Sequence, residues 1–255
     1  MRKYSLIRFI AVVVALLGIT GVVMAKEGTK PQRALIASGH PEWPPVMFKE
    51  GKNMAGAGPE LVSKIFADIG IQVELPYSGP WEDVLNKGKA GQIDVIVAAY
   101  KTREREEFYL YSDPYATDPI ALFVPEDKTF NFKTSSDLVG KSGIGMIGDS
   151  YGQEFDDFSA AHLNLHRVQT VAEGFGLIAD HKADYFIYSL YAGNLELKKS
   201  QSSRIVPLPT SVSEQKFYMI ISKKSPFARY LPDVNRLIKQ YKQDGTIDRL
   251  VAKYQ

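Results

Sequence analysis

Cysteine is absent from the 255 residues. That excludes disulfides, thiolate zinc sites, cysteine nucleophiles and lipid attachment through cysteine. A charge excess is missing too: 31 basic residues face 29 acidic ones, too even for a dedicated nucleic-acid binder or a disordered tail protein. Tryptophan is scarce, at two residues, so where each one falls carries information. No short-period repeat, low-complexity tract or G-x-S-x-G nucleophile elbow occurs, and past the first residues no apolar run reaches membrane length. What the chain does have is a 45% hydrophobic composition, enough for the core of one large or two small globular units.

The opening residues read as a secretory signal. Arg2, Lys3 and Arg8 form a basic start, residues 9–24 an apolar run broken by Gly18, Thr20 and Gly21, and Val23 and Ala25 the small residues of a cleavage site after Ala25. An uncleaved membrane anchor needs ~20 apolar residues, more than this run supplies. Cleavage takes three of the 31 basic residues and leaves 28 against 29 acidic ones, a net charge of −1. The expected product is exported to the periplasm, with residues 26–33 as a solvated leader.

Thereafter strands and helices alternate. Residues 34–38 read as a short buried strand. Pro59 and Glu60 open a helix with Leu61, Val62, Ile65, Phe66 and Ile69 on one face, and Gly70 ends it. Residues 71–75 alternate as a strand, Pro80 starts another helix, and 93–99 is a strongly apolar strand. This β-α-β-α-β order predicts parallel strands covered by helices. A second run follows Asp113-Pro114-Tyr115, with strands predicted at 120–124, 143–147, 165–168 and 185–188 and helices at 153–161, 171–181 and 190–199. Pro207 and Pro209 break the chain before a last strand at 217–222, and Gly245 divides a helical end that begins at Pro226. Two α/β units are the economical organisation.

Several apparent motifs have plainer readings. Gly143-Ile144-Gly145-Met146-Ile147-Gly148 spells G-x-G-x-x-G, but its glycines lie inside the predicted strand instead of after one. A glycine-tolerant strand leading into a tight turn reads better than a dinucleotide site. His162 and His166 are four apart, yet they straddle a helix-to-strand junction that turns the rings away from each other, so no metal is expected. His40 and His181 have no serine or cysteine nucleophile signature near them, and no carboxylate pair stands out for two-acid hydrolysis.

Three segments are more informative. Glu42-Trp43-Pro44-Pro45 and Pro80-Trp81-Glu82 place the two tryptophans just after predicted strands, where open α/β sheets bind ligands. Flanking proline and charge favour a ligand wall over core packing. The third runs from Ala99 to Glu107, leaving the most apolar strand and turning sharply polar. An arginine there can clamp a small carboxylate through two parallel hydrogen bonds. The alternative is a solvated helix end whose arginines pair with Glu104, Glu106 and Glu107.

In chain order, Trp43-Pro44-Pro45, Gly56-Ala57-Gly58-Pro59-Glu60-Leu61, Trp81, Thr102-Arg103-Glu104-Arg105, Ser112-Asp113-Pro114-Tyr115, Asp137-Leu138-Val139-Gly140-Lys141 and Gly148-Asp149-Ser150 make a series of weak patterns whose order is specific. Over residues 34–255 the chain resembles the family 3 extracellular solute-binding proteins, the periplasmic receptor subunits of polar amino-acid ABC importers. The resemblance implies an α/β, two-lobed periplasmic binding protein fold (type II), each lobe a mixed sheet flanked by helices, joined by two hinge strands near 116–119 and 211–216. Lobe 1 would be 26–117 plus 217–255, and lobe 2 would be 118–216. It further implies a monomer that closes on its ligand by hinge bending, an inner-membrane ABC permease as partner, no cofactor, no nucleic acid and no catalysis. Carried over by position, Arg105 would grip the ligand carboxylate, with Arg103 facing solvent. Trp43 and Trp81 would sandwich the ligand's side chain. Ser150 and Tyr151, at a helix start, would complete the carboxylate site through hydroxyl and free N–H groups.

The departures matter as much. Tyr100 stands where the family usually has a small hydroxyl residue, His40 where an acid often precedes the first aromatic, and Gly56-Ala57-Gly58 lacks a usual Asp. Ser189 ends the second-lobe strand, where the family usually has the Asp that pairs with an α-ammonium. Without that charge a buried ammonium is costly, which favours a carboxylate-bearing ligand that lacks an amine. The Ala98 carbonyl and Tyr100 are the neutral acceptors left for an amine, with Glu42 and Asp149 as acids within reach. Trp43, Trp81, Tyr100, Tyr151, Tyr188 and Tyr191 make the expected site rich in aromatics. Two other readings share the scaffold: an enzyme resembling cyclohexadienyl dehydratases, which needs an acid that Tyr188 and Ser189 do not supply, and a ligand-presenting sensory module.

Overall fold

The computed structural model describes residues 33–200 and 204–254, so the expected signal at 1–25 and nearly all of the leader lie outside the described residues. Its strands are β1 (Leu35–Ser38), β2 (Glu42–Trp43), β3 (Met47–Glu50), β4 (Asn53–Ala55), β5 (Val73–Glu74), β6 (Val95–Ala99), β7 (Tyr109–Tyr111), β8 (Ala116–Pro125), β9 (Ser142–Met146), β10 (Asn164–Val168), β11 (Tyr185–Ser189), β12 (Ile205–Pro207) and β13 (Ser213–Ser222). The helices are α1 (Ala57–Ile69), α2 (Trp81–Ala90), α3 (Arg103–Phe108), α4 (Gln153–His162), α5 (Val171–Ala179), α6 (Leu190–Ser200), α7 (Leu231–Gln243) and α8 (Thr246–Ala252).

The large sheet runs β10-β9-β11-β8-β13-β6-β1-β5, with β12 on β8 and β7 on β13, while β2-β3-β4 form a small sheet of their own. β1 pairs parallel with β5 and β6 on one side, and β9 pairs parallel with β10 and β11 on the other. Between them β8 and β13, ten residues each, lie antiparallel from Ser213↔Ile120 to Phe217↔Ala116. β8 then continues against β11 and β13 against β6. These two strands therefore join two lobes, each a sheet flanked by helices.

Local chemistry accounts for the main elements. α1 buries Leu61, Val62, Ile65 and Phe66, the face read from its spacing, and Gly70 ends it in left-handed backbone at φ 77°. β6 is buried at all five positions because α1 and α2 both pack on it and it lies between β1 and β13, as expected of an interior strand covered on both faces. The strand expected over 71–75 shrinks to Val73–Glu74 at the sheet edge. β2–β4, α3, β7 and β12 were not expected, being too short for hydrophobic periodicity to register. Among the described residues no helix is long and apolar enough to cross a membrane.

The glycine-rich stretch at 143–148 serves packing. Gly143 lies under the Tyr185 ring, where an added Cβ would sit 2.3 Å from the ring carbon bearing the hydroxyl. Gly143→Ala is therefore expected to overpack the second lobe by about 1–3 kcal/mol. A thermal melt should show a loss of roughly 2–4 °C per kcal/mol. An unchanged melting temperature would contradict the ring-on-glycine packing.

Candidate functional site

β6 delivers Ala98, Ala99 and Tyr100 to the cleft between the lobes, and the chain then turns into α3. Thr102 caps that helix, its hydroxyl accepting the Arg105 N–H at 3.2 Å. This places Arg105 in the first turn, buried, with its guanidinium donating to Tyr100 O at 3.1 Å and across the cleft to Gly148 O at 3.0 Å. The same guanidinium lies 5.4 Å from the Trp81 ring centre. Trp81 opens α2 and donates its indole N–H to Gly148 O at 3.1 Å. Gly148 makes this meeting possible: its φ of 79° is backbone that L residues avoid, and its carbonyl faces the first lobe.

Trp43 comes from β2 and donates Nε1–H to Asp118 Oδ2 at 2.8 Å. The Tyr100 hydroxyl donates to the same oxygen at 2.6 Å, and the Ser189 hydroxyl to Asp118 Oδ1 at 2.8 Å. Asp118 thus gathers donors from both lobes on β8, one of the joining strands. Burial pushes its carboxyl up from 3.8 to about 6, against the three hydrogen bonds that favour the charged form and with the help of the nearby Asp149 charge. Burial and then the Asp118 charge raise the Tyr100 hydroxyl well above its ordinary value, so it serves as a donor.

His40 stands between the tryptophans, its ring centre 5.0 Å from Trp43 and 5.5 Å from Trp81. Its Nδ1 accepts the Glu42 N–H at 3.0 Å, and its Nε2 faces Asp149 Oδ1 at 3.5 Å. Glu42 itself crosses to the second lobe: its carboxylate accepts the Val171 N–H at 3.3 Å and its carbonyl accepts the Tyr188 hydroxyl. Burial raises the Glu42 carboxyl above its ordinary value.

His40, Trp43, Met47, Trp81, Ala98, Ala99, Tyr100, Arg105, Asp149, Ser150 and Phe217 line a cavity of about 20 Å³, the space of roughly one water. Of the residues expected from sequence, Trp43, Trp81, Ala98, Tyr100, Arg105 and Ser150 come together there. Tyr151 and Ser189 do not line it. The Tyr151 ring is fully buried in the second lobe, its hydroxyl oxygen accepting the Met146 N–H at 2.7 Å, and Ser189 is spent on Asp118. The donors expected to be free at the start of α4 are also taken. The Ser150 hydroxyl donates to Asp156 Oδ2, and the Tyr151 N–H donates to Asp156 Oδ1 at 2.9 Å. Arg103 faces solvent as expected, but it pairs with Asp157 on α4 at 2.7 and 2.6 Å instead of with the neighbouring glutamates. Lys89 and Lys101 hold Glu104 and Glu106.

Sequence reasoning missed Asp118, Met47, Ala99 and Phe217, and did not count His40 or Asp149 among the site residues. Asp118 had a signal, a lone carboxylate just before the apolar run of β8. Among the described residues no group of three or more acidic or histidine side chains is arranged to hold a metal ion.

Two lobes joined by paired strands, with aromatic and charged groups from both meeting in one cleft, define a two-lobed binding protein of the type II periplasmic fold. Comparison with known proteins gives the family: the model for bacterial extracellular solute-binding proteins, family 3, matches residues 35–255, and the chain belongs to that family. It is similar to the L-cystine-binding protein TcyA of Bacillus subtilis (strain 168), 21% identical over 207 residues that cover 81% of this chain and 74% of that one. The "Probable amino-acid-binding protein YxeM" of the same organism is 24% identical over 214 residues, 82% of this chain and 79% of its own. In fold it resembles the arginine-, lysine-, histidine-binding protein ArtJ of Geobacillus stearothermophilus, with a TM-score of 0.72, 17% identity, and 87% and 95% of the two chains covered.

Asp118 gives a pH signature. Between about pH 4 and 6 the folded chain keeps a proton that the unfolded chain has released, so this group's contribution to stability falls as pH rises, by at most about 3 kcal/mol. Asp118→Asn removes that titration. The melting temperature of the variant relative to the parent should rise by several degrees from pH 4 to 7. A difference that stays constant over that range would contradict the raised carboxyl.

Proposed function

We infer that this chain is the exported substrate-binding receptor of an ABC importer, which captures a small amino acid or related carboxylate metabolite by closing two lobes and presents it to an inner-membrane permease. The proposed lobes are residues 26–117 with 217–255, and 118–216. The receptor works as a monomer in the periplasm, performs no chemical step, and uses binding free energy to favour the closed form that the permease reads. Membership of a solute-binding family supports the role, and the names of the cystine- and amino-acid-binding relatives support the substrate class.

The observation that carries this reading is Arg105. A guanidinium has five N–H donors, and among the described residues this one donates to two carbonyl oxygens, Tyr100 O and Gly148 O, inside an aromatic cavity. A carboxylate arriving there meets a fixed, desolvated cation, for which arginine is the best-suited residue. Trp43 and Trp81, the only tryptophans in the chain, stand beside it and make intrinsic fluorescence a reporter.

A fluorescence and thermal-shift screen of amino acids, dicarboxylates, polyamines and aromatic acids is expected to find a ligand. Arg105→Ala should then remove ~2–5 kcal/mol of binding, roughly 30- to 5,000-fold, because it strips one side of a buried charge pair. Arg103→Ala should change affinity little, since its partner Asp157 is an exposed surface group. Equal losses from both substitutions would reject the assignment.

A further inference from the structure

Two buried polar atoms of this cavity have no hydrogen-bond partner among the described residues: Asp149 Oδ2 and His40 Nε2. Both side chains are 2% exposed and both line the cavity, one from each lobe. Buried polar atoms are nearly always paired, so an orphaned pair in a binding cleft marks where a ligand's polar groups sit. The chemistry of the two atoms is complementary. His40 Nδ1 accepts the Glu42 N–H, so the neutral ring carries its hydrogen on Nε2 and offers a donor. Asp149 Oδ2 offers a carboxyl acceptor. The imidazole at 3.5 Å from Oδ1 is its only ion-pair partner within 4.0 Å among the described residues.

Resting on the receptor reading above, we propose that Asp149, positioned against His40, is the residue that selects a ligand ammonium, so the ligand carries an amine as well as a carboxylate. The carboxylate that Ser189 fails to provide is present in the cleft on a different element. Asp118 does not serve as well, since it lies outside the cavity lining and both of its oxygens are already engaged by Trp43, Tyr100 and Ser189. Arg105 and Asp149 line the same cavity, the guanidinium 3.0 Å from the carbonyl of the residue before Asp149, so one cleft offers a cation for a carboxylate and an acid for an ammonium. A ligand with a carboxylate alone would leave Asp149 buried beside a second anion, which is the costly arrangement. This reverses the preference for an amine-free ligand drawn from Ser189.

Isothermal titration of the intact protein tests it, using proteinogenic L-amino acids and L-cystine, each matched with its des-amino acid and its decarboxylated amine. The best amino acid should bind at least ~30-fold more tightly than its des-amino partner, and Asp149→Asn, nearly identical in shape, should erase that preference. Equal affinity of the parent for the amino acid and the des-amino acid overturns the proposal while leaving the receptor reading intact, and this comparison needs no variant. A preference that survives in Asp149→Asn, as a buried water bridging the two atoms would give, overturns the assignment to Asp149. Failure of every probe to bind rejects the amino-acid receptor reading itself and the proposal with it.

Discussion

One buried carboxylate organises the cleft. Asp118 sits on β8, one of the strands that join the lobes, and takes hydrogen bonds from Trp43 and Tyr100 of the first lobe and Ser189 of the second. Each such bond to a charged group contributes about 1.5–3 kcal/mol, yet the carboxyl is still pushed up to about 6, so desolvation outweighs the three donors. An anion held at that cost is a constraint: the rings of Trp43 and Tyr100 cannot swing away without leaving it unpaired. The aromatic wall is therefore fixed by a group that does not itself face the cavity. Polar satisfaction behind a site often decides how rigid its front is.

Gly148 is the matching point on the other side. Its carbonyl accepts from both Trp81 and Arg105, so two first-lobe side chains converge on one second-lobe atom. Beside it the Arg103–Asp157 pair also spans the cleft, but on the surface, where screening and side-chain entropy leave little net gain. The contact between the lobes is thus made mainly by buried polar groups around Gly148, Asp118 and Glu42. In the proposed receptor these groups would open to water on lobe separation, which would let a modest ligand contribution shift the balance.

Much of the fold was legible in the sequence. α1 and β6 announce themselves through spacing and unbroken apolarity, and Gly70 marks its helix end. The segment that β6 leads into stood out for the same reason, since a buried strand that turns abruptly polar must end at a surface or a cleft, but local pattern alone favoured a solvated helix end, and only the family resemblance singled out Arg105. Asp118 was harder, because its partners lie 18, 71 and 75 positions away and nothing local reveals them. Ser150 and Tyr151 show the opposite failure. Their local pattern correctly announces a helix start, but whether its donors are free depends on Asp156 folding back from the next turn. The amine question turned on the same limit, since sequence shows an acid missing at Ser189 and cannot show that Asp149 faces the same cavity.

Distances between the lobes test the proposed ligand-driven closure most directly. The chain has no cysteine, so Asn86→Cys on α2 and Ala160→Cys on α4, both at exposed positions, accept spin labels at those sites alone. Double electron–electron resonance should show a longer-distance population without ligand that collapses to the short distance of the closed cleft when the tightest-binding amino acid is added. The same distance distribution with and without saturating ligand would contradict a receptor that works by closing its lobes.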